Sequence, residues 1–195
     1  MKEEKVLPIA EALYRGGIRF IEVTFDLKSP ENFAATTRAI RSISDRFGSD
    51  MLAGAGTVVS AELVEMACDA GALYIISPNT DESVIRRTKE KGMVSIPGAL
   101  TPSECLIAHN AGADFIKLFP AGELGAGYIK ALAAPLGHLR LLAVGGVNEK
   151  NIPDFLKAGV IGFGIGSELT NKAWIEAGEF QKITELAKRY VQAVK

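Results

Sequence analysis

One phrase recurs along this chain and constrains its fold more than any other feature: a helical pattern stops at a small-residue step containing glycine, and an apolar run follows at once. It occurs as "YRGGIRFIEVTF" from Tyr14, "DAGALYIISP" from Asp69, "NAGADFIKLFP" from Asn110 and "KAGVIGFGIGS" from Lys157. Glycine tolerates the left-handed conformation that ends a helix, and an apolar run suits a parallel strand buried on both faces. Each copy is therefore predicted to be a helix-to-strand joint. Three further strands fall between them, "MLAGAGTV" from Met51, "MVSIPGAL" from Met93 and "LRLLAVGG" from Leu139. Helix-start signals follow: Ser60 ahead of Leu63, Val64 and Met66, and Thr101-Pro102-Ser103-Glu104, a capping box with proline at the first helical position. Ser29-Pro30 and Asn148 are expected to open two more helices, the latter holding Ile152 and Phe155.

Strict alternation of strand and helix implies a parallel sheet with right-handed crossovers, either a closed barrel or an open doubly wound sheet. A doubly wound nucleotide fold carries a glycine-rich turn after its first strand, and "IEVTFDLKSP" has no glycine. The glycines gather instead after the last two strands, at Gly145-Gly146 and from Gly164 to Ser167, where β/α barrels often hold a phosphate. The expected fold is α/β, a TIM-type (β/α)8 barrel forming a single domain over residues 1–195. The 48% hydrophobic composition is ample for one core at this length. Seven strands are read rather than eight. The chain opens in a helix, roughly Lys5 to Arg15, so the first strand of the pattern is lacking and two sheet edges should lie unpaired.

The 22 basic and 23 acidic residues nearly cancel, and no basic run appears, which argues against nucleic acid or a membrane surface as the main partner. Glu3, Glu4 and Glu11 surround the first apolar run, unlike a signal peptide, and no apolar stretch approaches the roughly 20 residues of a membrane span. Cys68 and Cys105 sit on apolar helix faces and read as reduced thiols, so a cytoplasmic protein is expected. His109 and His138 lack metal-ligand spacing and read as surface or loop residues; neither a metal nor a cofactor is expected. Trp174 and the amphipathic stretch "ITELAKRYVQAV" from Ile183 read as core or interface.

Two charges stand where a buried strand should be apolar. Lys117 lies between Ile116 and Leu118, and burial that lowers an ammonium pKa leaves the neutral amine that attacks a ketone. A lysine snorkelling from the strand end is the alternative. Glu22 lies between Ile21 and Val23, on one face with Thr24 and Asp26 by the period-two rule. If that face points inward, Glu22 approaches Lys117, either as the acid/base of aldol chemistry or as a mere buried ion pair. The glycine turns and Ser167 offer N–H and hydroxyl donors to a phosphate, or serve only close packing. Thr57 and Ser77-Pro78 end two more strands at the rim, touching substrate or capping the next helices.

In order, "IEVTF", "GAGTV", "IISPN", "IPGALTP", "IKLFPA", "AVGGV" and "GIGSEL" resemble the 2-keto-3-deoxy-6-phosphogluconate / 4-hydroxy-2-oxoglutarate aldolase family from the first helix to the C-terminus. The resemblance implies a class I (Schiff-base) aldolase, a carbon–carbon lyase built as a barrel and usually assembled as a homotrimer. Its substrate would be a 2-keto-3-deoxy-6-phosphoaldonate, cleaved reversibly to pyruvate and glyceraldehyde 3-phosphate. It implies Lys117 as the Schiff-base former, Glu22 as general acid/base, Thr57 near the pyruvate carboxylate and Phe119 packed by the substrate, with Pro78 at the substrate rim. It places Gly145, Gly146, Gly166 and Ser167 around the phosphate. Three positions depart from the gluconate pattern. The N-terminal strand is lacking, Asp26 stands in place of a carboxylate-binding arginine, and Val144 replaces a threonine. "AVGGV" and "SPN...VIRR" are closer to the 6-phosphogalactonate branch. A phosphate-binding isomerase or epimerase using Glu22 as base, and a non-catalytic metabolite-binding or scaffold barrel, are the competing readings.

Overall fold

The computed structural model describes residues 3–194 and carries the alternation through. A 3-10 turn leads into α1 (Val6–Arg15), followed by β1 (Phe20–Thr24), α2 (Phe33–Phe47), β2 (Leu52–Gly56), α3 (Ala61–Asp69), β3 (Tyr74–Ile76) and α4 (Glu82–Glu90). Then come β4 (Val94–Ile96), β5 (Gly98–Ala99), α5 (Pro102–Asn110), β6 (Ile116–Leu118), α6 (Ala121–Ala133), β7 (Leu141–Val144), α7 (Ile152–Lys157) and β8 (Gly162–Gly164). Helices α8 (Lys172–Glu176) and α9 (Phe180–Ala193) end the fold. The segments β4 and β5 are one pass interrupted at Pro97, which has no N–H for the ladder. Among the described residues the passes therefore number seven, as the sequence pattern predicts.

Every pairing is parallel, in the orders β1-β2-β3-β4 and β5-β6-β7-β8. Among the described residues β1 and β8 each pair on one side only. Glu22 from β1 and Gly164 from β8 nevertheless line one cavity, so the sheet curls round on itself. The fold is a TIM-type β/α barrel with a seam between β8 and β1. Beside the seam β1 alternates exposed and half-buried residues, with Phe20 65% exposed at its start.

The four glycine joints share one geometry. Gly17, Gly71, Gly112 and Gly159 have φ between 90° and 104°. In each the glycine N–H returns to the helix, as Gly112 does to His109 O at 3.0 Å, and the next residue's N–H reaches one residue further back, as Ala113 does to Ala108 O at 3.1 Å. Gly92 makes a fifth copy at the end of α4, with Met93 N–H on Thr88 O. Chain reversal of one kind at these five joints helps to point successive strands the same way.

Strand residues alternate between two layers. Ala53, Ala55, Ile116, Leu118, Leu141 and Ala143 are buried outward against the helices, while their neighbours face the lumen. α9 closes the ring on α1, where the Thr184 hydroxyl donates to Ala12 O at 2.9 Å. Ser60 and the Thr101–Glu104 box cap their helices as expected. Ser29 does not: Pro30–Asn32 forms a 3-10 turn and α2 starts at Phe33. Asn148 spends its side chain on the N–H groups of Lys150 and Asn151, folding the turn ahead of α7 rather than capping it. Trp174 falls in the separate short helix α8, and both cysteines are free.

Gly112→Ala has spatial room but a φ of +104°, so it should destabilise the fold by about 1–3 kcal/mol. Gly127→Ala, in open space within α6, should instead stabilise by about 0.5–1 kcal/mol. Denaturant unfolding of the two variants reads opposite signs if the joints work as described.

Candidate active site

The lumen is shaped by what β2 lacks. Gly54 and Gly56 face inward, and a Cβ on Gly56 would lie 1.5 Å from Glu22 Oε1. A Cβ on Gly54 would lie 2.2 Å from the Tyr74 ring. The bare inner face of β2 is thus the bed on which the side chains of β1 and β3 rest. Across the barrel, Lys117 extends inward from β6 between fully buried Ile116 and Leu118, its backbone paired to Gly98 and Leu142. Its Nζ sits 4.7 Å from the centroid of the Phe119 ring, a cation–π approach at the strand end.

Burial raises the Glu22 carboxyl above its usual range, and the charge of Lys117 partly offsets this. Burial likewise lowers the Lys117 ammonium, with Glu22 opposing. Glu22 is exposed and lines the cavity although protein surrounds its carboxyl, so its upward shift reflects the lumen rather than a sealed core. Both groups move toward their neutral forms, which is the condition for a nucleophilic amine beside a proton-carrying acid.

Above the pair opens a cavity of about 370 Å³. Glu22, Phe119, Val144, Gly145, Gly146, Gly164, Gly166 and Ser167 belong to its wall. Gly145 and Gly146 have φ of 84° and 71°, and a Cβ at Gly146 would press on Gly122 Cα at 3.0 Å. Only glycine fits so tight a turn. Gly122 N–H donates to Gly145 O and the Asn151 amide to Gly146 O, both at 2.8 Å, fixing the turn from two sides. On the facing loop Gly166 O accepts from Leu169 and Thr170 N–H. The N–H groups of Gly146, Gly166 and Ser167 and the Ser167 hydroxyl have no acceptor among the described residues, so they can serve an anion. A turn, not a helix, follows Ser167, so no helix dipole adds to this cradle.

The other sequence candidates are distributed less tightly. Lys117, Thr57 and Pro78 are not part of that cavity wall; Lys117 reaches it through Phe119 and Glu22. Thr57 has φ of +57°, the one described non-glycine residue with positive φ, a strain of the kind that accumulates at functional sites. Ser77 is buried and its hydroxyl donates to Val58 O at 2.7 Å, so it neither caps a helix nor faces the cavity. Pro78 is exposed with its carbonyl against Gly98. Asp26 accepts from Lys28 N–H in an exposed turn. Sequence reasoning passed over Gly54, Gly56, Gly122 and Asn151. The Ala-Gly-Ala-Gly alternation of β2 was the available signal for the first two. Among the described residues no group of three His, Cys, Asp or Glu side chains could hold a metal.

A family model described as KDPG and KHG aldolase matches residues 1–186. The chain belongs to this aldolase family. A probable 2-dehydro-3-deoxy-6-phosphogalactonate aldolase of Rhizobium meliloti is 39% identical over 183 residues, covering 93% of this chain and 83% of that protein. The KHG/KDPG aldolase of Escherichia coli is 33% identical, covering 100% of this chain and 88% of that protein. The KDPG aldolase of Legionella pneumophila, solved with pyruvate captured as a covalent carbinolamine, superposes with a TM-score of 0.84. It is 29% identical and covers 96% of this chain and 88% of that one.

Membership in the KDPG and KHG aldolases makes the chain a class I aldolase, a carbon–carbon lyase. In the lumen an amine and an acid lie beneath the glycine turns at Gly145–Gly146 and Gly164–Gly166. Amine-selective labelling of Lys117 should titrate at lower pH than the surface lysines. An ionised Glu22 holds the Lys117 pKa up, so Glu22→Gln should move that midpoint further down; an unchanged midpoint would separate the two groups electrostatically.

Proposed function

We propose that this chain, acting as one barrel domain over residues 1–195, cleaves a 2-keto-3-deoxy-6-phosphoaldonate to pyruvate and glyceraldehyde 3-phosphate, with Lys117 as nucleophile and Glu22 as general acid/base. The observation carrying this reading is the lumenal Lys117–Glu22 pair, both shifted toward neutrality, directly beneath the glycine cradle. The neutral Nζ attacks the C2 ketone, and the carbinolamine loses water to give the iminium. Glu22 takes the proton of the C4 hydroxyl as the C3–C4 bond breaks, and the bonding electrons pass into the enamine. The aldehyde leaves. Glu22 returns the proton to C3, and hydrolysis releases pyruvate and the free amine. In this reading Gly145, Gly146, Gly166 and Ser167 hold the 6-phosphate, Phe119 packs on the substrate, and Thr57 and Pro78 lie at the pyruvate rim.

Of the two C4 epimers, gluconate and galactonate, the galactonate is favoured by Val144 in the cavity wall and by relatives at 39% and 36% identity against 28–34% for gluconate-type enzymes. Assembly as a homotrimer is supported by exposed Leu100, Leu106, Ile107 and Tyr128 on and around α5 and α6. A cytoplasmic location fits two free cysteines and the lack, among the described residues, of any helix long and apolar enough to cross a membrane.

Pyruvate with borohydride should leave an adduct that mass spectrometry maps to Lys117, and Lys117→Ala should abolish it; a folded parent without adduct sinks the aldolase reading. Glu22→Gln should keep its fold while kcat falls about a hundredfold or more, and an unchanged kcat would remove it from the mechanism. Ser167→Ala should raise KM for the phosphorylated substrate about tenfold without altering pyruvate trapping. An equal effect on trapping would place Ser167 elsewhere in the site.

A further inference from the structure

Tyr74 is a buried, ionisable side chain inside the barrel that the chemistry above leaves without a part. Glu22, Gly54 and Tyr74 occupy one row across β1, β2 and β3, paired in register. Tyr74 leans over Gly54, where a Cβ would meet its ring carbons Cε2, Cζ and Cδ2 at 2.2–2.4 Å. Glu22 leans over Gly56, with its carboxyl carbon 2.4 Å from where a Cβ would be. The tyrosine ring and the carboxyl therefore rest on successive inward positions of one strand, whose spacing is about 7 Å. Phe20 meets the ring edge-on, with centroids 6.1 Å apart, and holds it from the lower side.

A phenylalanine would fill this volume equally well without a hydroxyl; among the described residues no side-chain oxygen is both sealed from solvent and unpartnered, so the Tyr74 hydroxyl is reached by water. The Tyr74 hydroxyl makes no hydrogen bond to protein among the described residues, and Glu22 is the charge that acts on it, pushing its pKa up beyond the effect of burial. One water with two hydrogen bonds of about 2.8 Å joins oxygens up to about 5.5 Å apart, within reach of side chains resting on successive positions of one strand. Lys117 from β6 faces the same carboxyl, and Glu168 shares its cavity wall.

We infer that Tyr74 is a positioning residue for Glu22: its hydroxyl, through one water, donates toward the carboxylate from beneath and holds it turned to Lys117. This rests on the aldolase reading for its consequence, not for its geometry. Donation to the ionised form stabilises it, so losing the hydroxyl raises the Glu22 pKa.

The test uses solvent-deuterium exchange of the pyruvate methyl group, which reads proton transfer at that carbon once the iminium has formed, beside borohydride trapping, which reads the iminium itself. Tyr74→Phe should trap pyruvate on Lys117 as the parent does and melt at a similar temperature. Its exchange should be about tenfold slower, the scale of one hydrogen bond to a charged group, with the acid-side limb of the pH profile moved upward. Exchange and limb identical to the parent would overturn the inference, as would exchange and trapping falling together. Carbon-13 NMR of the parent supplies an independent reading: the Tyr74 Cζ resonance should shift with the midpoint at which the Glu22 carboxyl titrates. A silent Tyr74 resonance overturns the inference even if Tyr74→Phe does not fold. Failure of the parent to trap pyruvate would strike the aldolase reading alone, leaving the NMR result to decide Tyr74.

Discussion

The bare inner face of β2 is the constraint on which the site depends. Any side chain larger than a hydrogen at Gly56 would occupy the place of the Glu22 carboxyl, and at Gly54 the place of the Tyr74 ring. Two glycines at alternate positions cost strand stability, because they lose more backbone freedom than other residues and pack nothing themselves. Ala53 and Ala55 on the outward side keep β2 anchored to the helices. A narrow barrel thereby holds a carboxyl and an amine in a space that apolar side chains would otherwise fill.

The charges themselves follow from this arrangement. A lysine and a glutamate in water would ionise fully and attract weakly. In the lumen, burial works against both charged forms while their mutual attraction works for them, and burial is the larger effect on each. The open cavity moderates it by leaving Glu22 exposed to solvent. The cradle of Gly145, Gly146, Gly166 and Ser167 offers N–H groups and a hydroxyl rather than a cation, so an anion there would meet dipoles and not a countercharge.

Much of this was legible in the sequence because its physical causes are local. A left-handed helix end needs glycine, so the joints at Gly17, Gly71, Gly112 and Gly159 declare themselves, and Gly92 belongs with them. A capping box is a four-residue device, so Thr101 and Glu104 are found correctly. Ser29 and Asn148 mislead for the same reason. Their side chains suit a cap, but Ser29 precedes a 3-10 turn and the Asn148 oxygen is taken by an earlier turn. Ser77 looks like a rim residue until its hydroxyl is seen bonded to the carbonyl of Val58, nineteen positions away.

By itself the sequence determined the order of strands and helices, the seven passes, and the oddity of Lys117 and Glu22 among apolar neighbours. Periodicity and local backbone preference decide those properties. Only the tertiary structure decided that Glu22 rests on Gly56, that Tyr74 lies in the same row, and that Asn151 and Gly122 clamp the turn at Gly145 and Gly146. Those relations join residues far apart along the chain, and closing the sheet into a barrel brings them within contact distance.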